Sequence, residues 1–328
     1  MPVRQLAPDI FQITLPTPFP VGPVHAYLLW GDPLTLVDTG VYDRASEAAL
    51  RAALAELGVA PQDLQQIVIS HSHLDHVGQA RWLAAAGGAD VLAHPLAVAR
   101  IADFHGHAAR AMAWSDQLLA QGGAPPEQWP MAQAFYAIIP RLTEDVAVQR
   151  CLDEGDTLRA GGKEWQVLFC PGHSSDLICL YRPQQRLLIS SDHLIAHISS
   201  NALVEPPQPG QTARRLPLIE YWQALERVAA LDLDQVLPGH GEVITDHRAL
   251  LAARREQRER RLQRIAAAVD GTALTAWQVV QAIFPNLAGV DIFLGLSEAI
   301  GHLDMLMAQG RVSARQETEE GEIRYQGV

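Results

Sequence analysis

The sequence predicts an α+β protein: a mixed sandwich of sheets and helices over residues 1–245, with a helical insertion at 96–150, and a smaller domain over 246–328. Three observations lead to this prediction. Strand-like and helix-like runs are interspersed before Gly241, without the strict alternation of a parallel α/β sheet. The stretch 96–150 interrupts this rhythm with helical patterns. After Gly241 the chain changes to long, charged helical sequence.

The first third of the chain predicts short strands that lead into a helix. Strands are expected in three β-branched runs separated by Pro and Gly: "IFQITLP", "VHAYLLWG" and "LTLVDTG". From Asp43 to Gly58 the apolar residues have helical spacing, and Gly58 stands where a C-terminal cap belongs. A buried type of strand, "QQIVIS", follows and ends at Ser70.

The insertion at 96–150 carries two helical stretches with scattered aromatic residues. These aromatic residues either form a lid or apolar wall over a site in the body, or only pack the insertion onto it; they are Trp114, Trp129, Phe135 and Tyr136. Strands are expected again in "EWQVLFCPGH", "LICLYRP" and "RLLISSDH", followed by a helix and a last strand, "QVLPGHG".

The C-terminal part predicts a long helix that begins at Thr245 or Asp246, either of which can be its N-cap. Two further helices and the hairpin "RVSARQETEEGEIRYQ" follow, an order typical of a winged-helix domain. The helix expected to enter a groove, "LGLSEAIGHLDMLMAQG", has no Lys or Arg, and the wing carries Glu317, Glu319, Glu320 and Glu322. We therefore expect this domain to pack on the body or form a homodimer rather than bind nucleic acid.

Composition narrows the class of protein. The net charge of −12 argues against a protein built mainly to hold nucleic acid. No signal-peptide pattern opens the chain, and no apolar run reaches the roughly 20 residues that span a membrane. The three cysteines are a sparse, odd set, which predicts reduced thiols, buried positions and a cytoplasmic protein; they are Cys151, Cys170 and Cys179.

The stretch "SHSHLDHVGQA" concentrates metal-ligating side chains directly after a strand. His71, His73, Asp75 and His76 lie within six positions, and imidazole and carboxylate are ligands of zinc and similar divalent ions. Four ligands are too many for one metal that must keep open positions. The cluster therefore predicts two metals.

Three more ligand candidates follow strand-like runs later in the chain. They are His173 in "CPGHSS", Asp192 in "SSDHL" and His240 in "LPGHGE". Because each stands at a strand end, all three can gather at one edge of a sheet. The total of seven ligands is enough for two metal sites with an aspartate between them.

These four elements, H-x-H-x-D-H, P-G-H, an Asp after an apolar strand and P-G-H-G, resemble the metallo-β-lactamase superfamily of hydrolases, most closely its glyoxalase-II-like branch. The resemblance covers about residues 10 to 245, with all four elements in order. It implies an αββα sandwich with the metals at one edge of its two sheets.

The resemblance also implies a role for each candidate. His71, His73 and His173 would hold the first metal. Asp75, His76 and His240 would hold the second, with Asp192 bridging the two. The "VDTG" motif matches as well, with Asp38 supporting the histidine loop. Zinc is the expected metal, with Mn²⁺ and Fe²⁺ left open. His193, next to the bridge, would face either the pocket or away from it.

The implied chemistry is hydrolysis by a hydroxide that bridges two metals about 3.5–4 Å apart, with Asp75 orienting or deprotonating the water. No G-x-S-x-G nucleophile motif is present. We expect a small carboxylic ester, lactone or thioester as substrate. A glutathione thioester is disfavoured, because the C-terminal part differs from that of glyoxalase II. Two alternatives remain: a metal-dependent ribonuclease that uses the tail, and a mononuclear iron enzyme of the persulfide dioxygenase type.

Overall fold

Two β-sheets stacked face to face form the centre of the protein. The computed structural model describes residues 3–208, 210–287, 291–316, 318 and 321–328. The strands of these residues, in chain order, are β1 (Val3–Ala7), β2 (Ile10–Leu15), β3 (Val24–Leu29), β4 (Thr35–Val37), β5 (Gln66–Val68), β6 (Asp90–Ala93), β7 (Arg150–Cys151), β8 (Thr157–Ala160), β9 (Lys163–Phe169), β10 (Ile178–Arg182), β11 (Leu187–Ser191), β12 (Gln235–Pro238), β13 (Leu274–Thr275), β14 (Val312–Gln316) and β15 (Ile323–Gly327).

Helices cover the outer faces of both sheets and build most of the insertion and the C-terminal part. They are α1 (Arg44–Glu56), α2 (Leu74–Val77), α3 (Ala80–Gly87), α4 (Val98–Ile101), α5 (Phe104–Gln121), α6 (Trp129–Ile138), α7 (Pro217–Ala229), α8 (His247–Ala268), α9 (Ala276–Ile283) and α10 (Asp291–Ala308). None of the helices in the described ranges is both long and apolar enough to cross a membrane.

The strand order brings several carboxyl ends to one edge of the sandwich. The first sheet runs β1 to β7 in sequence, antiparallel up to β4 and parallel from β4 to β7. The second sheet has the order β12-β11-β10-β9-β8, with β11 and β12 parallel. Because β10 is antiparallel to both β9 and β11, β9 and β11 run in the same direction. The loops that follow them therefore open at the same edge.

Apolar residues between the sheets and under the helices give four layers. Tyr27, Val68 and Trp165 belong to the buried cluster between the two sheets. On one outer face α1 packs through Leu50 and Leu54. On the other, α7 presents its apolar face to the second sheet, and residues on both contribute to one buried cluster. The architecture is the αββα sandwich that the sequence predicts.

The insertion packs onto the C-terminal helices. Leu118 and Leu119 of α5 are buried in one cluster with residues of α8, α9 and α10. The rings of Tyr136 and Phe293 meet edge to face, with their centroids 5.9 Å apart. Trp114 and Trp129 lie partly buried against the same cluster. This contact accounts for the aromatic residues whose side chains are described, and the idea of a lid stays a prediction.

The C-terminal part contains α8, α9, α10 and a three-stranded sheet of order β13-β15-β14. Asp246 caps α8, because its carboxylate accepts a hydrogen bond from the Ala249 N–H at 2.9 Å. Thr275 and Gln278 form a capping box at the start of α9. The winged-helix assignment and the division of the chain at 245/246 stay predictions.

Several sequence-based expectations differ from the structure. Strand β1 was not predicted; it pairs antiparallel with β2 at the edge of the first sheet. Cys151 is exposed, whereas burial was expected, because it lies on the short edge strand β7; Cys170 and Cys179 are buried as expected. Glu317, Glu319, Glu320 and the side chain of Phe135 lie outside the described residues.

A buried ion pair ties α10 to the segment before α7. Arg214 donates two hydrogen bonds to Asp304, of 2.8 Å and 2.7 Å, and the Asp304 side chain is only 2% exposed. Removing one partner of such a pair leaves an uncompensated buried charge. We expect Arg214→Met to lower the free energy of unfolding by about 3–5 kcal/mol, measured by urea denaturation at pH 7. Arg214→Met/Asp304→Leu should recover most of the loss; a loss below about 1 kcal/mol in the single variant would contradict this view of the pair.

The same pair predicts a pH dependence. Burial raises the pKa of Asp304, and Arg214 opposes that effect. A carboxyl group with a raised folded-state pKa binds its proton more tightly in the native state, so its contribution to stability falls as pH rises through that range. Without Arg214 the effect of burial is unopposed. The stability difference between wild type and Arg214→Met should therefore grow from about pH 4 to pH 7, whereas the double variant should show no such trend.

Candidate metal centre

The seven side chains predicted as ligands lie at the edge of the sandwich where the carboxyl ends of the strands meet. The loop after β5 carries His71 and His73 and continues into the one-turn helix α2, which contains Asp75 and His76. His173 follows β9, Asp192 follows β11 and His240 follows β12. The topology thus brings together residues that are up to 169 positions apart in the chain.

Three histidines form the first group. His71 Nε2 and His73 Nδ1 are 3.0 Å apart, and His73 Nδ1 is 3.0 Å from His173 Nε2. The rings of His73 and His173 are nearly perpendicular, at 83°. Three ring nitrogens therefore point at one small volume and lie close enough together to hold one metal ion.

Asp75, His76 and His240 form the second group. The Nε2 atom of His240 is 3.3 Å from Asp75 Oδ2, and the Nε2 atom of His76 is 3.9 Å from Asp75 Oδ1. His76 and His240 are almost completely buried, and neither Nε2 atom has a hydrogen-bond partner among the described residues.

Asp192 lies between the two groups. Its Oδ2 atom is 3.4 Å from His173 Nε2, 3.5 Å from His76 Nε2 and 3.6 Å from His240 Nε2. A single carboxylate oxygen therefore reaches a nitrogen of the first group and two nitrogens of the second. Asp192 Oδ1 is buried without a hydrogen-bond partner in the described structure.

Hydrogen bonds on the outer side of the rings set the direction of their lone pairs. Nδ1 of His173 donates to the Asn201 carbonyl at 3.1 Å, and Nδ1 of His240 donates to the Pro23 carbonyl at 2.8 Å. Nδ1 of His76 donates to Asp38 Oδ2 at 2.8 Å. A neutral imidazole that donates from Nδ1 carries its lone pair on Nε2. In their neutral form these three rings therefore point unprotonated nitrogen atoms inward.

This donor set fits divalent cations. Inward lone pairs beside two carboxylates repel one another unless positive charge lies between them. Histidine ligands of zinc are commonly held by such hydrogen bonds to a carboxylate or a carbonyl. The seven residues can therefore hold divalent ions, with three nitrogens on one side and two nitrogens and a carboxylate on the other.

The electrostatics differ between the two groups. Burial, together with the neighbouring imidazoles, holds the pKa of His71 and of His73 well below its ordinary value. Burial also acts to lower the pKa of His76, but the carboxylates of Asp192, Asp38 and Asp75 outweigh it and raise that pKa well above its ordinary value. The first group thus favours neutral imidazoles, whereas the carboxylates around the second favour positive charge, the charge that a bound cation would supply.

Asp38 connects this centre to the first sheet. It is 2% exposed and has a backbone φ of 61°, an uncommon conformation for a residue other than glycine. Its carboxylate accepts hydrogen bonds from the Ser70 N–H at 2.8 Å, from the Ser70 hydroxyl at 2.7 Å and from His76. The structure therefore places Asp38 directly behind the histidine loop.

His193 follows Asp192 in the chain, but its ring packs against Tyr221. Its ring packs edge-on against Tyr221, with centroids 5.5 Å apart, and it belongs to no cluster of metal-ligating groups found among the described residues. Burial, with Arg227 and His173, lowers the pKa of His193 to about 3, so the ring is neutral. His105 and His107 of the insertion also lie outside these clusters.

Sequence reasoning missed several supporting residues. Ser70 accepts from His71 Nδ1 across 3.0 Å, and its hydroxyl lies 2.8 Å from the hydroxyl of Ser191. Asp176 accepts from the Ser72 N–H at 3.1 Å and from the Ser174 hydroxyl, which joins the first histidine loop to the loop of His173. Serines and backbone carbonyls carry no signal of their own in a single sequence. Only their position next to the ligands could have suggested them.

Comparisons with known proteins agree with this geometry. Residues 19–240 match the family model described as "Metallo-beta-lactamase superfamily", and residues 262–328 match "Metallo-beta-lactamase-like, C-terminal domain". The chain is similar to "Probable metallo-hydrolase YqjP" of Bacillus subtilis, with 32% identity over 311 residues, covering 93% of this chain and 94% of the relative.

Two other similarities are informative. The "Acyl-coenzyme A thioesterase MBLAC2" of Gallus gallus is 30% identical over 161 residues, covering 48% of this chain and 52% of that protein. A crystal structure of a metallo-beta-lactamase family protein from Thermus thermophilus superimposes with a TM-score of 0.83 at 26% identity, covering 99% of this chain and 100% of that one.

The hydrogen bonds of Asp38 generate a prediction about metal retention. In Asp38→Asn an amide N–H replaces one carboxylate oxygen, so either Ser70 or His76 loses its acceptor. We expect metal affinity to fall by about 10–100-fold, as for other residues that support a ligand. The measurement is competition with a chelator, followed by mass-spectrometric metal counting. Asp90→Asn, at an exposed aspartate, is the matched control; equal affinity in folded Asp38→Asn and wild type would contradict the prediction.

Proposed function

Because this chain belongs to the metallo-β-lactamase superfamily, we propose that it hydrolyses a small acyl substrate, with a thioester as the leading class and an ester or lactone next. Membership confirms the predicted sandwich fold and the prediction of a metal-dependent hydrolase. The glyoxalase-II-like branch, two metals per chain and zinc as the metal stay predictions and form part of this proposal.

One observation carries the proposal: the inward-facing nitrogens of two histidine groups meet at a shared oxygen of Asp192. We assign His71, His73 and His173 to one metal, Asp75, His76 and His240 to another, and Asp192 to both. When bound, such ions supply a water of lowered pKa and polarise the carbonyl group under attack.

Asp75 is the residue we propose for the proton transfer. Burial acts to raise its pKa, but His76 and His240 hold that pKa below its ordinary value, so the carboxylate is ionised and can accept a proton. In hydrolysis of a thioester, the acyl carbon–sulfur bond breaks. The hydroxyl of water joins the acyl group and the remaining proton ends on the thiol. The chain itself needs no serine or cysteine nucleophile for this reaction.

Two observations favour an acyl group over a phosphodiester. One similar protein is named an acyl-coenzyme A thioesterase, and α10, the helix expected to enter a groove, has no Lys or Arg. Its only charged residues are acidic: Asp291, Glu298 and Asp304. These features support the thioester class but leave ribonuclease activity as an outcome to be tested.

The test is turnover of four substrates by purified protein of known metal content: an acyl thioester, a lactone, an aryl ester and a single-stranded RNA. We expect an acyl substrate to be turned over, and Asp192→Ala to lose more than the roughly 10–100-fold that removal of a supporting residue costs. Asp153→Ala, at an exposed aspartate outside the seven ligands, is the control.

Other outcomes decide against the proposal. Cleavage of RNA alone would favour the ribonuclease. One iron per chain with little zinc, together with consumption of oxygen, would favour the persulfide dioxygenase type. Loss of acyl turnover in Asp153→Ala equal to that in Asp192→Ala would show that the assay does not report on this centre.

A further inference from the structure

A cleft lies beside the metal centre, between the loop 197–201, α8, the pair Phe284 and Leu287, and α10. Its volume is about 500 Å³, within the range of small-molecule sites. The side chains that matter here are Trp222, Arg254, Arg258, Arg261, Phe284 and Glu298. The cleft is open to solvent on one side and is distinct from the seven ligands.

The cleft is positively charged in a protein that is strongly negative overall. Three arginines line it against the single carboxylate of Glu298, whereas the whole chain carries −12. His302 also lines the cleft, and burial lowers its pKa, so it adds no positive charge at neutral pH. The excess of two guanidinium groups matches an anionic ligand.

The three arginines are held in different ways. Arg254 donates to the carbonyls of Ile195 and Ala196, and Arg261 is paired with Glu298. The guanidinium of Arg258 lies 4.1 Å over the ring of Trp222 and forms no ion pair with any described residue. Its Nε atom is buried and has no hydrogen-bond partner in the described part of the chain. Within the described ranges, Arg258 is thus an oriented cation that forms no ion pair.

One loop joins this cleft to the metal centre. The carbonyl of Asn201 accepts the hydrogen bond that orients His173, while the side chain of Asn201 lines the cleft. His197 lines the cleft too and packs over Gly241, next to His240; a Cβ at Gly241 would come within 2.5 Å of the His197 ring. A ligand in the cleft would therefore lie along the loop that supports both metal groups.

The cleft also contains apolar side chains. Ile198 and Leu294 both line it and are each 38% exposed, which is high for such residues. The cleft thus combines apolar side chains with arginines on α8. A ligand with an uncharged arm and a phosphate-bearing end presents both kinds of surface.

On the basis of the proposed function, we infer that this cleft binds the phosphate groups of the thiol carrier to which the acyl group is attached. Arginine forms paired, charge-assisted hydrogen bonds with phosphate oxygens, and the free guanidinium of Arg258 is placed for this. The substrate class is then an acyl thioester of a phosphorylated carrier such as coenzyme A, rather than a thioester of a small neutral thiol.

The activity test compares one acyl group on two carriers: coenzyme A and N-acetylcysteamine, which has no phosphate. We expect Arg258→Gln to lower kcat/KM for the coenzyme A thioester by about 10–100-fold, mainly through KM, the effect of losing a hydrogen bond to a charged group. For the N-acetylcysteamine thioester the change should stay within about twofold. Arg260→Gln, an exposed arginine on the same helix outside the cleft, is the matched control.

A binding test separates the cleft from the chemistry. Calorimetric titration with coenzyme A itself, which carries no acyl group, should show binding that weakens with salt and falls about 10-fold or more in Arg258→Gln but not in Arg260→Gln. Arg258→Lys, which keeps the charge, should retain part of the affinity. Thermal unfolding of each variant verifies that it is folded.

The outcomes distinguish the two proposals. Binding that depends on Arg258, without turnover of any thioester, ester or lactone, would support the cleft and overturn the proposed function. Thioester turnover that is equal on both carriers and unaffected by Arg258→Gln would support the proposed function and overturn the cleft. Absence of coenzyme A binding to wild-type protein, or binding of single-stranded RNA in its place, would also overturn the cleft.

Discussion

The carboxylate of Asp38 is the interaction on which the candidate centre depends. Because this carboxylate is buried, its charge must be compensated by hydrogen-bond donors. The donors lie on two other segments of the chain. Ser70 and His76 donate from the histidine loop, and the Ser191 hydroxyl donates at 3.3 Å from the end of β11. Each hydrogen bond to a charged group contributes about 1.5–3 kcal/mol. One side chain therefore fixes the end of β4, the histidine loop and the end of β11 relative to one another.

The sandwich brings loops from both sheets to a common edge, which Asp38 alone could not do. The hydroxyl of Tyr27 donates to the Pro238 carbonyl across the inter-sheet core. The backbone N–H of His25 donates to the Gly239 carbonyl at 2.7 Å. These bonds attach the end of β12, and so His240, to the first sheet. Side chains anchored at the ends of rigid strands can be held within about 0.5 Å of the geometry that a metal site requires.

The sequence contains the ligands but not their support. Residue type and strand-end position were enough to predict all seven side chains that meet at this edge, because imidazole and carboxylate are informative in themselves. The acceptors that orient the rings could not be predicted in this way, since the carbonyls of Pro23 and Asn201 exist in every residue and only the fold selects them. Strand β1 was missed because its "VRQLA" sequence is short, has neither a β-branched run nor an alternating pattern, and lies partly exposed.

In the basic helix α8, the local sequence pattern indicates the exposed ion pairs but not the cleft that three of its arginines line. Arginines interspersed with glutamates along a helix are typical of a solvated, salt-bridged surface, and Arg255 with Glu226 and Arg260 with Glu256 do form such exposed pairs. Arg254, Arg258 and Arg261 have the spacing i, i+4, i+7, which places them on one face of a helix. That face meets Trp222, Phe284 and the loop 197–201. The spacing of the arginines in the sequence reveals the shared face. Only the packing of α8 between the sandwich and α10 shows that this face borders a cleft, which is where we infer that the arginines bind phosphate.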